Sequence, residues 1–250
     1  MKSFFTPIIL LLCSTTFAQG SFDYAKDFKV MLGKTKDTSN DLSYNRLLKR
    51  FISNDNSMTR YETLALMIGY TAQTDYRPFD DLVTEKDIFI LNDNGNYQEA
   101  LQEADPYLAT HPLSLRVLKE KSYSLHQLKK ADSSDYYMDL VHKIMSAMLF
   151  SGNGKTPDTP IFALGLTDGE RFMENAGYLV GNKGTSKSKT GLNMQLVDGS
   201  NDEGTHVTLL FVIQHAIDKA YGDEKEDVGK KGVKKSKKKN KKDKDQPAKE

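Results

Sequence analysis

The sequence predicts an α+β fold in which N-terminal helical hairpins precede a small antiparallel β-sheet with one or two helices and a disordered lysine-rich tail. Apolar residues recur at helical spacing as far as Phe150. From Ser151 onwards, short apolar runs alternate with segments rich in Gly, Asn and Asp, as in strands joined by turns. Ten of the fifteen residues from Lys230 to Lys244 are lysine, and such a segment buries too little apolar surface to fold. The predicted regions are 1–18 (signal peptide), 19–150 (helical), 151–222 (small α+β) and 223–250 (tail).

The first eighteen residues indicate a secretory signal peptide with cleavage between Ala18 and Gln19. Lys2 provides a positive start, residues 4–13 form a mostly apolar run, and small residues precede the cut at the required positions. The run is too short to span a bilayer. The mature chain is therefore expected in the periplasm or outside the cell.

An alternative retains Cys13, the only cysteine of the chain, as a lipidated first residue that anchors the protein to a membrane. Leu12 argues against it, because the lipoprotein peptidase prefers a small side chain there. Cleavage after Ala18 removes the only thiol, which excludes disulfides, thiolate catalysis and cysteine metal sites from the mature chain.

Charge is distributed unevenly along the chain. The whole chain carries +1, whereas residues 223–250 contain twelve lysines and seven acids and carry +5. With a further +1 from Lys2 in the signal peptide, residues 19–222 are left with −5. An acidic body thus precedes a basic tail.

Helices are expected at residues 22–32, 44–52, 59–74, 82–91, 95–111, 113–127 and 130–150. The clearest start is the capping box from Thr59 to Glu62, where the hydroxyl and the carboxylate satisfy free amides at the helix terminus.

The helices after Gly95 resemble one and a half tetratricopeptide repeats. A Gly-x-Tyr-x-x-Ala pattern begins at Gly95, and the corresponding turn at Lys129 follows after a shift of 34 residues, which is the period of this repeat. Pro106 departs from the pattern and is expected to kink the first helix or to restart it after Asp105.

The second part is expected to contain three strands and two helices. A second capping box, from Thr167 to Glu170, should start the first of these helices. The expected elements are a strand at 160–166, a helix from 167 to 176, a polar loop at 181–190, strands at 192–197 and 206–213 joined by a hairpin loop at 198–204, and a closing helix at 213–221.

No catalytic, cofactor or metal site is predicted. Gly154-Lys155-Thr156 matches the end of a phosphate-binding loop, but Leu149 stands where the first glycine is needed and Pro157 follows where a helix should begin. The alternating oxygen ligands from Asp198 to Asp202 lack the turn glycine and the final acid of a calcium loop. The five histidines show no zinc-site spacing, and no Gly-x-Ser-x-Gly nucleophile elbow is present.

The tail is the one candidate contact region, because dense positive charge attracts anions in a salt-dependent way. Anionic lipid headgroups, acidic envelope polysaccharide and extracellular DNA are the candidate partners, and a solubilising tail is the alternative. The candidate lysines are Lys230, Lys231, Lys234, Lys235, Lys237, Lys238, Lys239, Lys241, Lys242 and Lys244.

The chain resembles the domain of unknown function 4919 family, which occurs in secreted proteins of Gram-negative bacteria. The resemblance extends from about Tyr44 to Ile217. It is carried by segments 44–51, 69–79, 95–100, 151–160 and 167–170. The family has no assigned activity, so the resemblance implies no catalytic residues.

The leading hypothesis is a non-enzymatic secreted or periplasmic protein whose helices act as an interaction scaffold for an unidentified protein or peptide. The alternative is an envelope hydrolase with a site at the seam between the helical and α+β parts, near Ser151 to Pro160. A pocket at the seam with a carboxylate or histidine of perturbed acidity favours the hydrolase, and a broad groove on the helices favours the scaffold.

Overall fold

The computed structural model describes residues 22–79 and 82–222. The predicted signal peptide with its Ala18–Gln19 cut, Cys13 and the lysine tail at 223–250 lie outside the described residues. No helix within the described ranges is long and apolar enough to cross a bilayer.

The predicted helical first part is confirmed. Its helices are α1 (Tyr24–Lys36), α2 (Tyr44–Ile52), α3 (Arg60–Tyr70), α4 (Leu82–Asp93), α5 (Tyr97–Thr110), α6 (Leu115–Gln127) and α7 (Ala131–Ser151). Two further helices, α8 (Asp168–Asn175) and α9 (214–222), flank the strands of the second part. Consecutive helices pack on each other from α4 to α7. The tetratricopeptide assignment itself stays a prediction.

One of the two predicted capping boxes is present. At the start of α3, the Thr59 Oγ1 accepts the Glu62 amide at 3.2 Å, and the Glu62 carboxylate accepts the Thr59 amide at 2.7 Å. The second prediction is wrong, because Thr167 already has helical dihedrals and its side chain makes no cap bond. Asp168 instead accepts the Gly165 amide at 2.9 Å and closes the turn that precedes α8.

Pro106 does not restart its helix. The structure has one helix from Tyr97 to Thr110, so the predicted break after Asp105 is wrong. A proline inside a helix removes one backbone hydrogen bond. The helix continues beyond it because Tyr107 is buried and its hydroxyl donates to Glu85 at 3.2 Å.

The second part contains a four-stranded sheet in the order β1-β4-β3-β2. The strands are β1 (Ile161–Phe162), β2 (Leu179–Lys187), β3 (Asn193–Ser200) and β4 (His206–Val212). The expected antiparallel pairing is present between β2 and β3 and between β3 and β4, whereas β1 pairs with β4 in parallel, so the sheet is mixed. The α+β class is confirmed.

Three details of the sheet differ from the sequence prediction. The strand expected at 160–166 shortens to Ile161–Phe162. Residues 181–190 were expected to form a polar loop, but most of them belong to β2, an edge strand that pairs through its backbone and exposes its side chains. The β3–β4 ladder continues to the pair Ser200–His206, so the predicted hairpin loop at 198–204 shortens to 201–205. Asp198 is therefore a strand residue, and its carboxylate accepts the Thr208 hydroxyl at 2.6 Å.

A single apolar core joins the helices to the sheet. It contains fully buried residues of the helical part, such as Leu64 and Ile144, together with Phe162 of β1 and Phe211 of β4. A smaller cluster around Ile88 holds α4, α5 and α6 together. The large core therefore crosses the predicted boundary at residue 150.

His215 lies in this core inside an aromatic cage. Its ring stacks on Phe162 at 4.5 Å and lies 5.5 Å from the Phe28 ring, and its Nδ1 is 3.3 Å from the Tyr24 hydroxyl. Burial lowers the pKa of His215 to about 3, so the imidazole is neutral at physiological pH. The contacts tie α1, β1 and α9 together.

We predict that His215 contributes to acid sensitivity. Between its ordinary pKa of 6.5 and about 3, the unfolded chain binds a proton that the folded chain excludes. Stability from this group is thus present above pH 6.5 and falls by about 1.4 kcal/mol per pH unit below it. In urea unfolding across this range, His215→Phe should show a shallower loss on acidification than wild type. His126→Gln, at an exposed position, serves as control; equal slopes for wild type and His215→Phe would contradict the prediction.

Candidate functional site

A cavity of about 50 Å³ lies where the helical part meets the connection between β1 and α8. We call it the seam pocket. Its walls come from α3, α4 and α5, from the loops that follow α3 and α5, from the β1–α8 connection and from the first residue of α8. The lining residues are Tyr70, Tyr76, Pro78, Leu82, Glu85, Tyr107, His111, Leu113, Ser114, Leu164, Gly165, Thr167 and Asp168.

Glu85 places a buried carboxylate in the wall that α4 provides. Its Oε1 accepts the Ser114 hydroxyl at 2.6 Å and the Tyr107 hydroxyl at 3.2 Å. Ser114 is also the N-cap of α6, because its Oγ accepts the Val117 amide at 3.2 Å. The capping of α6 therefore fixes the donor that orients Glu85.

Asp168 places a second carboxylate in the wall that α8 provides. Burial, followed by the nearby charge of Glu85, raises the pKa of Asp168 to about 7. The Gly165 and Leu164 amides act in the opposite direction by stabilising the ionised form. Burial prevails, so a large fraction of Asp168 carries a proton at neutral pH.

Aromatic side chains connect the two walls. The Tyr76 hydroxyl donates to the Leu164 carbonyl and so fastens the loop after α3 to the β1–α8 connection. The His111 ring stacks on Tyr107 at 4.3 Å, and its Nδ1 lies 2.8 Å from the Thr110 hydroxyl. The pocket is a preorganised set of oxygen atoms beside aromatic rings.

The family comparison covers the whole pocket. A family model described as "Domain of unknown function (DUF4919)" matches residues 29–190. The chain belongs to the DUF4919 family. This confirms the family predicted from the sequence, and every residue that lines the seam pocket lies within the matched segment. No curated protein and no solved structure matches the chain.

Five residues of the sequence segments that suggested the DUF4919 family line the seam pocket. They are Tyr70, Tyr76, Pro78, Thr167 and Asp168. The hydrolase alternative put its site near Ser151 to Pro160, but the seam pocket contains none of those ten residues. Ser151 is buried, donates to the Met148 carbonyl at 2.6 Å and accepts the Phe162 amide at 2.7 Å, which is a structural role.

The loop with Gly154-Lys155-Thr156 is a compact turn whose polar groups bond to each other. The Asn153 side chain accepts the Lys155 amide at 2.9 Å, and the Gly154 amide donates to the Thr159 carbonyl at 2.8 Å. A phosphate-binding loop instead directs its amides at the ligand. The Gly154 and Lys155 amides are therefore used inside the turn.

Most of the site could not be found by sequence reasoning. Glu85, Tyr107, His111 and Ser114 carry no local motif, and Asp168 was named only as a member of the segment of the predicted capping box from Thr167 to Glu170. Within the described ranges, no three His, Asp or Glu side chains converge in a metal-binding arrangement. The candidate lysines of the tail lie outside the described residues.

We predict that Gly152 is required for the turn after α7. A Cβ at this position would lie 2.2 Å from the Pro160 carbonyl oxygen, so the backbone would have to shift. Gly152→Ala should reduce the free energy of unfolding by about 2–4 kcal/mol in urea titrations. Gly33→Ala in α1 is the matched control, since its Cβ meets nothing within 4 Å; it should stabilise by roughly 0.5–1 kcal/mol. A neutral Gly152→Ala would contradict the turn geometry.

We predict that the Asp168 carboxyl lowers the free energy of unfolding as the pH rises. Because its folded pKa of about 7 exceeds the ordinary 3.8, the folded chain keeps a proton that the unfolded chain loses, and stability falls as the pH rises through this window. Between about pH 5 and about pH 8, the free energy of unfolding of wild type should therefore fall by about 2–3 kcal/mol more than that of Asp168→Asn. Exposed Asp132→Asn is the control. If wild type and Asp168→Asn lose stability equally, the carboxyl does not titrate near neutrality.

Proposed function

We propose that this chain is an extracytoplasmic interaction protein without catalytic activity, and that the seam pocket receives one cationic or hydrogen-bond-donating group of its partner. The observation that carries the proposal is the pairing of Glu85 and Asp168 across a small aromatic-walled cavity. Among the residues that line the pocket in the described part of the chain, none is lysine or arginine. An ammonium or guanidinium group would thus meet acceptors of opposite charge.

The dimensions favour binding over turnover. A cavity of about 50 Å³ accommodates a single small head group, whereas substrate pockets occupy roughly 300–1,000 Å³. The partner would place one side chain in the pocket, and the surrounding helices would provide the remaining contact surface. Val83 and Ile90 on α4 and Tyr123 on α6 are exposed apolar side chains available for such contact. The predicted repeat-like packing of α5, α6 and α7 agrees with this use of the helices.

The proposal also includes a location outside the cytoplasm and a role for the basic tail. The predicted signal peptide would deliver the chain to the periplasm or beyond, and the tail lysines would contact anionic lipid or polysaccharide of the envelope. The charge of +5 on residues 223–250 supports this role, because its attraction to anions needs no folded site.

One specific observation favours the hydrolase alternative. A carboxylic acid with a pKa of about 7 is suited to general acid catalysis at neutral pH, and Glu85 would be the second carboxylate. Asp168 would then donate a proton to a leaving group, and Asp168→Asn would abolish turnover. The binding proposal instead expects no turnover and a saturable complex.

We predict that Nα-acetyl-lysine methylamide binds the mature chain with a Kd on the order of millimolar, typical of one small contact. Two-dimensional NMR titration should show saturable shifts of the Tyr76 and Tyr107 ring signals. Glu85→Gln should weaken binding by about tenfold, which corresponds to the loss of one charge-assisted contact. Asp132→Asn should bind like wild type. Absence of saturable shifts in these rings would refute the proposed site.

A further inference from the structure

One edge of the sheet, formed by strand β2, is open. Within the described part of the chain, the sheet ends at β2, whose one strand neighbour is β3. Residues 181–185 and 187 of this strand are exposed. A strand of nine residues is about 30 Å long, and an open edge of this length offers a row of backbone groups to a further strand. Strand β2 is therefore available for pairing with another chain.

The hydrogen bonds of the neighbouring residues show which part of β2 directs its backbone groups to the open edge. The Asn193 carbonyl accepts the Ile213 amide at 3.1 Å, so its backbone groups point to the β4 side, and those of its partner Lys187 point away from β3. The Ser188 amide donates to the Leu192 carbonyl at 3.0 Å and so has the opposite direction. Because this direction alternates along a strand, every second residue of β2 presents its N–H and C=O groups to the open edge. These residues are Lys183, Thr185 and Lys187.

The same residues give this edge a positive charge. Side chains at alternate positions of a strand share one face, so Lys183 and Lys187 lie on the same side of the sheet, about 13 Å apart along the strand. The residues opposite them in β3 are uncharged. The Lys183 Nζ lies 2.9 Å from the Glu170 Oε2, but the side chain of this lysine stays about half exposed. Residues 179–192 contain three lysines and no acid.

This charge selects among the possible occupants of the edge. A second copy of β2, paired antiparallel about Thr185, would place Lys183 opposite Lys187, and like charges across a strand pair oppose each other. An extended segment with Asp or Glu at every fourth position would instead place a carboxylate opposite each of the two lysines. The backbone of such a segment would also satisfy the outward N–H and C=O groups of β2.

We propose that β2 is a docking edge for an extended acidic segment of a partner protein, which joins the sheet beside β2 and places carboxylates opposite Lys183 and Lys187. The inference goes beyond the seam pocket, because none of the described residues that line that pocket belongs to β2. The two sites select opposite charges, since the pocket takes a cation and the β2 edge takes carboxylates.

The test titrates the 15N-labelled mature chain with the acetylated and amidated heptapeptide Thr-Glu-Val-Thr-Val-Glu-Thr, whose glutamates lie four positions apart. Binding should be saturable, should shift the amide signals of Thr185 and Lys187, and should slow the hydrogen exchange of these two amides. The matched peptide with lysine in place of both glutamates should bind at least about tenfold more weakly. Because other lysines of the chain also attract an acidic peptide, the two amide signals serve as the readout of the site.

Two variants of β2 separate strand addition from general charge attraction. Lys187→Glu should weaken binding of the acidic peptide by about five- to tenfold, whereas Lys29→Glu, at an exposed position of α1, should bind like wild type. Thr185→Pro removes one outward N–H without removing a bond to β3, as prolines on edge strands do. It should weaken binding by about fivefold or more, with an unfolding midpoint close to that of wild type.

Each result supports or overturns the inference. Equal affinity for the two peptides, or unshifted amide signals of Thr185 and Lys187, overturns the docking edge. Unchanged affinity of folded Thr185→Pro shows attraction by charge alone and overturns strand addition, and Lys187→Glu still decides if the proline variant does not fold. A wild-type dimer in sedimentation that Thr185→Pro abolishes makes a second copy the occupant and overturns the acidic segment. The peptide and the pocket probe are titrated separately, so failure of one proposal leaves the other standing.

Discussion

The buried strand β1 holds the two parts of this protein together. Phe162 packs in the core shared by the helices and the sheet, pairs through its strand with β4, and stacks on His215 of α9. The connection that follows β1 is then fastened to the loop after α3 by the hydrogen bond between Tyr76 and the Leu164 carbonyl. The connection that carries Asp168 is anchored in this core, whereas Glu85 belongs to α4, which the smaller cluster around Ile88 holds against α5 and α6. The lining of the seam pocket includes residues of both clusters, so the pocket lies where they meet.

Two perturbed groups near this seam affect stability in opposite ways. His215 is buried as the neutral imidazole, so it imposes no charge at neutral pH but lowers stability as the pH falls below 6.5. Asp168 is most favourable when protonated, so its burial opposes stability at neutral pH and above. A core histidine in an aromatic cage has a sufficient structural explanation. A buried acid next to a second carboxylate does not, because an amide would accept the Gly165 hydrogen bond without the penalty of charge burial. Such departures from optimal stability are expected at functional sites.

The sequence predicted the parts of the fold that depend on local patterns. The bounds of α2 and the capping box at Thr59 follow from apolar periodicity and from a side-chain motif that acts within one helical turn. Strand β2 was missed because a polar edge strand is stabilised by backbone pairing with β3, which leaves no apolar alternation to detect. The seam pocket was missed for a different reason. Its residues come from segments up to about a hundred positions apart, from Tyr70 to Asp168, and only tertiary packing brings them together.

The electrostatics of the pocket explain why a cation is a better occupant than a substrate to be cleaved. A general acid must reach a leaving group, but the Asp168 carboxyl accepts the Gly165 amide and faces a cavity that admits only a small head group. An ammonium group entering the pocket would favour the ionised form of Asp168 and release its proton, so part of the binding free energy would be used to deprotonate the acid. Binding should therefore strengthen as the pH rises through the range in which Asp168 titrates. Glu85 is buried and burial is the main cause of the raised pKa of Asp168, so much of the desolvation of the two carboxylates already occurs on folding.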